Sequence, residues 1–285
     1  MHVTKIITQL LSGAIHKTRV QSLIPIITAI ITSKQLRLTQ LGRSLNSGGK
    51  ERSDIRRIDR LLANPYYQIQ SIDVYKAITQ RVVANQGRPI ILVDWTSLPN
   101  SDLTTEGGAH SAIRASLIAE GRSITLYEEV HSKKKENNDL VHQAFLRRLH
   151  SILPSSCFPY IVTDAGFKNP WFKAVRALGW DYIGRVRGKV NYHDGSGWQA
   201  IKNLFSRVVS TCPKALGSIF LAKDNPLKTN LFTYRHKLQG RQKLTKTGAV
   251  SQHKDSLQHS RGYREPWLLV SSLSGFSAAS RVVKM

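Results

Sequence analysis

With 285 residues, the chain is long enough for one large domain beside a smaller one, and its 41% hydrophobic and 8% aromatic content excludes a disordered polymer. Forty-two Lys and Arg against eighteen Asp and Glu give a formal charge of +24. A surface so positive repels itself and calls for a polyanionic partner, nucleic acid ahead of an anionic membrane face.

The first 85 residues read as helical. The most apolar stretch, Leu23 to Ile31, is nine residues long and contains Pro25, against about 20 residues needed to span a bilayer. No export-signal pattern opens the chain. Leu36, Leu38, Leu41 and Leu45 form an apolar stripe that Gly48-Gly49 breaks. From Asp54 to Leu62 the run DIRRIDRLL places Ile55, Ile58, Leu61 and Leu62 at helical spacing. Arg56, Arg57 and Arg60 occupy its other face, either as snorkelling surface arginines or as contacts to DNA. Asn64-Pro65 stops this helix.

From Arg88 the texture changes. Pro89 to Val93 (PIILV) is a short continuous apolar run, the pattern of a strand buried on both faces. Ala112 to Ile118 and Ser123 to His131 alternate as two antiparallel strands joined across Glu120-Gly121. Asp139 is positioned to cap a helix with Leu140, Val141, Ala144, Phe145, Leu149 and Ile152 on one face. Pro159 to Thr163 (PYIVT) is a second buried strand. Asn169 as N-cap, Pro170 at the first helical position and Gly179 at the end bracket a further helix, and Trp180 to Val186 is another strand. Between Arg185 and Arg264 sixteen Lys or Arg face three acids, Asp194, Asp224 and Asp255; the stretch is either a solvated basic loop region or a surface that tracks phosphates. Cys157 and Cys212 form neither a metal-ligand spacing nor a disulfide framework, which suits a reducing cytoplasm.

Strand, strand, strand, helix, strand, helix, strand describes an α/β fold, an open mixed sheet with helices on its faces in the ribonuclease H-like layout. In that layout the first strand and the one after the first helix lie side by side and parallel, and ligands bind at their carboxyl ends. Asp94 follows the first of these strands and Asp164 the second. One Asp after a strand is commonly a turn or cap residue. Two at equivalent strand ends repel each other unless a divalent cation lies between them, and Mg²⁺ prefers such hard oxygens. Two ions about 3.5–4 Å apart activate a water or 3′-hydroxyl and stabilise the leaving oxygen of a phosphodiester.

The segments ILVDWT around Asp94, GRSITLYEEV from Gly121 to Val130, and IVTDAGFKNPWFKAVRALGWDYIGRVRGKV from Ile161 to Val190 resemble cut-and-paste DDE transposases. The likeness is to the insertion-sequence-four family, in the subgroup near the transposase of transposon ten, and LTQLGRSL and IRRIDRLL resemble it too. The resemblance implies a helical DNA-binding domain (residues 1–85), the first part of a ribonuclease H-like catalytic core (86–190), a basic β-rich insertion (191–273) and the start of a C-terminal helix (274–285). It implies a homodimer, cytoplasmic and nucleoid-associated, acting on double-stranded transposon ends and target DNA with Mg²⁺, for which Mn²⁺ substitutes. Asp94 and Asp164 match the first two catalytic acids and metal ligands. Arg43, Arg56, Arg57, Arg60, Lys168, Arg185, Arg187 and Lys189 are the candidate DNA contacts. Trp267 matches an aromatic that stacks a flipped base, and a core tryptophan on an apolar strand is the equal alternative.

The family's third acid is a Glu one turn beyond an Arg on a helix. Tyr263-Arg264-Glu265 does not fit, because its residues are contiguous and Pro266 follows. The expectation is a truncated copy whose third acid falls shortly past Met285. A non-enzymatic remnant that binds ends and competes with a full-length transposase is the alternative. A plain nuclease using Glu128 or Glu129 ranks lower, since on a strand only one of the two points towards the site.

Overall fold

The computed structural model describes residues 3–45, 47–98, 109–208, 211–235, 244–254, 256–257, 260 and 265–274. It divides into a helical unit, 1–86 with 148–155, and a sheet unit, 87–147 with 156–285.

The helical unit contains α1 (Val3–Leu11), α2 (Lys17–Ser33), α3 (Leu38–Arg43), α4 (Glu51–Leu62), α5 (Pro65–Ile69) and α6 (Ser71–Val83). Ile7, Leu11, Ile15 and Val20 form one small core, with Tyr67 and Val74 against it, and Ile26, Ala29, Leu41 and Ile58 form another. The expected leucine stripe is broken up. Leu36 precedes α3 and is exposed, Leu38 is exposed, and Leu41 alone of the first three is buried. Pro25 lies inside α2, and Asn64 accepts the Tyr66 N–H to cap α5 with Pro65 as its first residue. Among the described residues no helix is long and apolar enough to cross a membrane.

In the sheet unit β1 (Ile90–Ser97), β2 (His110–Ala119), β3 (Arg122–Ser132), β4 (Tyr160–Thr163), β5 (Asp181–Val186), β6 (Asn191–His193), β7 (Trp198–Ala200), β8 (Lys214–Leu221), β9 (Leu227–Tyr234) and β10 (Trp267–Ser271) form one sheet. Its order is β3-β2-β1-β4-β5-β10-β9-β8-β6-β7. The expected pairing of the first strand with the one after the first helix is present: β1 runs parallel to β4, and β4 parallel to β5. Gly121 (φ 70°) makes the β2–β3 turn, a left-handed position suited to glycine. The basic stretch after Val190 does not form a separate sheet in its described part. Its strands extend the same one, joined through β10, which pairs with β5 and β9.

Two helices differ in detail from the sequence reading. Helix α7 (Asp139–Ile152) is capped by Asn138, whose Oδ1 accepts the N–H groups of Leu140 and Val141, so Asp139 is its first residue and not its cap. Leu140 is exposed, and the buried face instead holds His142, Phe145, Leu146, Leu149 and Ile152. Helix α8 (Asn169–Ala177) begins at Asn169, with Lys168 as cap. The Asn169 amide is buried and donates to the carbonyls of Leu221 and Asn225, both at 2.7 Å, tying α8 to the β8–β9 turn. Pro170 and Gly179 (φ 76°) sit in the first turn and just past the end, as expected.

Against β5, α8 packs Phe172 over Gly184, where an added Cβ would overlap the ring. Gly184→Ala is therefore expected to destabilise the sheet unit by about 1–3 kcal/mol, from forced shifts in a filled core. Thermal melts of the two proteins check this, and an unchanged Tm contradicts it.

Candidate active site

The parallel pairing of β1 and β4 ends at Val93↔Thr163. Asp94 and Asp164 occupy the next register position, so both carboxylates emerge at one sheet edge. The apolar run leads to the expectation that Asp94 follows its strand; it lies instead within β1. Strand β1 continues to Ser97 against β2, with Asp94 opposite Arg114, and outruns its shorter neighbour. Each carboxylate is aimed by nearby backbone: Asp94 Oδ1 accepts the Trp95 N–H and Asp164 Oδ1 the Gly166 N–H, both at 2.8 Å.

Both acids reach solvent. Partial burial, then the negative charges of Asp164 and Glu136, push the Asp94 carboxyl above the ordinary carboxylate range, opposed by the Trp95 N–H. That upward push is a sign of uncompensated negative charge. Glu136 escaped the sequence reading. It follows a 3₁₀ turn (Lys133–Lys135) after β3, and its carboxylate lies 3.5 Å from the Ser111 hydroxyl. The next residue, Asn137, is left-handed (φ 62°), and a Cβ on Gly166 would sit 3.0 Å from Asp164 Oδ1 and 3.3 Å from Asn137 Oδ1. Topology supplies a signal that could have found this loop. Strand β3 is antiparallel to β2, and β2 to β1, so β3 ends at the edge where β1 and β4 end.

The two acids weighed on β3 are engaged elsewhere. Glu128 shares the Asp94 face but pairs with Arg114, which stands between them in register. Glu129 accepts from the Tyr127 hydroxyl at 2.8 Å and lies 2.8 Å from His131 Nε2. Glu265 forms an ion pair with Arg187 at 2.6 Å. Among the described residues no three His, Cys, Asp or Glu side chains come close enough together to hold a metal ion. The stretch in which the C-terminal helix is expected lies outside the described residues beyond position 274.

Beside Asp164 a cavity of about 240 Å³ has an apolar floor that includes Phe167, Phe172 and Val186, and Lys168, Arg185 and Arg187 on its wall. Trp267 is not a core tryptophan: it is 37% exposed at the start of β10, with the Arg185 guanidinium 5.0 Å from its ring centroid. Lys189 is exposed. In the helical unit Arg43 forms an exposed ion pair with Glu51, and Arg60 Nε donates to the Arg56 carbonyl. Arg57 and Arg60, with Ser22, Asn64 and Tyr67, line a cavity of about 380 Å³.

Residues 85–278 match the sequence model of the transposase DDE domain, over two thirds of the chain. The chain belongs to the transposase DDE domain family. No curated protein matches it. The match begins just ahead of β1 and runs past β10, so the paired acids and the whole described sheet lie inside it.

Proposed function

We propose that this DDE transposase binds double-stranded DNA at transposon ends and, with Mg²⁺ or Mn²⁺, cleaves and transfers strands at a site built on Asp94 and Asp164. The juxtaposition of these two carboxylates, one register step beyond Val93↔Thr163, is the observation that carries the reading. The donor set fits a hard divalent cation. Each carboxylate has one oxygen held by a backbone N–H and the other uncommitted by any such bond. Asn137 adds an amide oxygen nearby. Mg²⁺ commonly takes only one or two protein carboxylates and completes its shell with water and phosphate oxygens. When bound, the ion supplies Lewis-acid stabilisation of the phosphodiester transition state. Asp94 and Asp164 fix its place. Lys168, Arg185, Arg187 and Lys189 steer the phosphates, and Trp267, with its exposed ring, stacks on an unpaired base.

A linear duplex carrying the DNA that flanks the gene tests this. Strand cleavage that needs Mg²⁺ and Asp94 supports it. The lack of a third acid close to the pair among the described residues favours a second reading, an end-binding protein without cleavage. Tight binding with no cleavage in either Mg²⁺ or Mn²⁺ decides for that one.

In the helical unit, Arg43, Arg56, Arg57 and Arg60 are proposed to grip the duplex, the cavity bearing Arg57 and Arg60 taking a backbone phosphate. Arg57→Ala and Arg60→Ala are expected to weaken binding to any duplex about equally, and each to lower the slope of log K against log[salt] by about 0.9. Binding titrations across salt concentrations read this directly, and an unchanged slope removes these residues from the interface.

A further inference from the structure

Asp94 stays in the β1–β2 ladder opposite Arg114, but no pairing between β1 and β4 sets the spacing of the two acids. The β1–β4 ladder stops at Val93↔Thr163, and each carboxylate is aimed by the backbone directly after it, Trp95 N–H for Asp94 and Gly166 N–H for Asp164. The spacing of the acids therefore follows the spacing of the segments Asp94-Trp95 and Asp164-Gly166-Phe167. One side chain touches both. His142, on α7, is 2% exposed. Its Nε2 accepts the indole Nε1–H of Trp95 at 3.0 Å, and its ring stacks on Phe167 with centroids 4.9 Å apart. The edge of Trp171 on α8 closes the ring from another side at 5.2 Å.

A buried imidazole is an expensive choice where a leucine or phenylalanine would fill the space, unless its polar atoms have work. Here Nε2 has a directional partner, and accepting that bond leaves the ring hydrogen on Nδ1. The bond fixes where the Trp95 indole lies, and the Trp95 main chain in turn holds Asp94. On the other side the stacked face fixes Phe167, next to the donor that holds Asp164.

We propose that His142 is a positioning residue that locks the two acid-bearing segments at the spacing a divalent cation requires. The proposal rests on the reading of Asp94 and Asp164 as cation ligands. Groups that orient ligands from behind are commonly worth 10–100-fold in metal affinity.

The test is Mn²⁺ binding to the whole chain without DNA, followed by the electron paramagnetic resonance of free Mn²⁺. Thermal melts of every protein run alongside. His142→Leu removes the acceptor, and Trp95→Phe removes the donor while keeping a ring. Each is expected to weaken Mn²⁺ binding about tenfold or more, with the double variant no worse than either single, because both delete the same bond. His142→Gln, whose amide oxygen reaches the same point, restores most of the affinity. If His142→Leu fails to fold, Trp95→Phe and His142→Gln carry the test. Wild-type affinity in Trp95→Phe, or a His142→Gln protein that is folded and yet as weak as the loss variants, overturns the proposal and leaves His142 a space-filling residue. Wild-type protein whose Mn²⁺ binding is absent or indifferent to Asp94→Asn instead removes the cation site itself, and this proposal with it.

Discussion

Asp94→Asn and Asp164→Asn are each expected to reduce metal-dependent cleavage of end DNA by about three orders of magnitude or more, with duplex affinity changed by about twofold at most. Asparagine keeps the shape of the carboxylate and its contact with the neighbouring N–H, so the loss comes from charge. The metal-free chain holds Asp94 under repulsion from Asp164 and Glu136, and removing one negative charge relieves that. Neither variant should therefore melt below the wild type without metal. With metal the order reverses. A ligand that binds only the folded state stabilises it by about 2.7 kcal/mol at a hundredfold excess over Kd, and that gain vanishes in both variants. Because the ligand must lose its proton first, Mn²⁺ affinity should also climb as pH rises through the raised Asp94 value. Melts with and without Mn²⁺, beside a cleavage assay, separate the cases. Full cleavage by Asp164→Asn would sink the two-carboxylate site.

What could be read from the sequence was the part governed by local pattern. The runs PIILV and PYIVT each end on an Asp, and an apolar run of that length has few alternatives to a buried strand, so the pairing of β1 with β4 and the position of both acids were predictable. The length of β1 past Asp94 was not, because the ladder to β2 sustains it and the apolar run itself ends at Val93. The capping residues were misassigned for a related reason. Asn138 and Asp139 are both good caps, and only the fold decides that Asn138 takes the post. Asn169 looks like a cap too, yet its amide is used 52 and 56 residues away. Glu136 and His142 lie furthest from sequence logic. Each is a polar residue whose meaning depends on what the sheet edge brings to it: the repelling pair for Glu136, Trp95 and Phe167 for His142.

The burial of His142 carries its own consequence for acid stability. Loss of hydration drives its pKa down to about 4 from the usual 6.5, only partly offset by the negative charge of Asp139. In the unfolded chain the same imidazole titrates near 6.5, so between those values the unfolded state binds more protons than the folded one. Stability therefore rises with pH across this window: the contribution is whole above about 6.5 and is lost as pH falls towards 4. A shift of that size corresponds to roughly 3 kcal/mol. Asp94 works in the opposite direction, since a carboxyl raised in the folded state favours folding when protonated, so the slope of wild-type stability alone does not isolate His142. The difference from His142→Gln does. At pH 7 the variant is expected to be slightly less stable, and by pH 4.5 the gap should close or invert, because glutamine never has to accept a buried charge. Denaturant titrations of both proteins at the two pH values measure this, and a gap that stays constant would mean that His142 is already charged, or hydrated, in the folded chain.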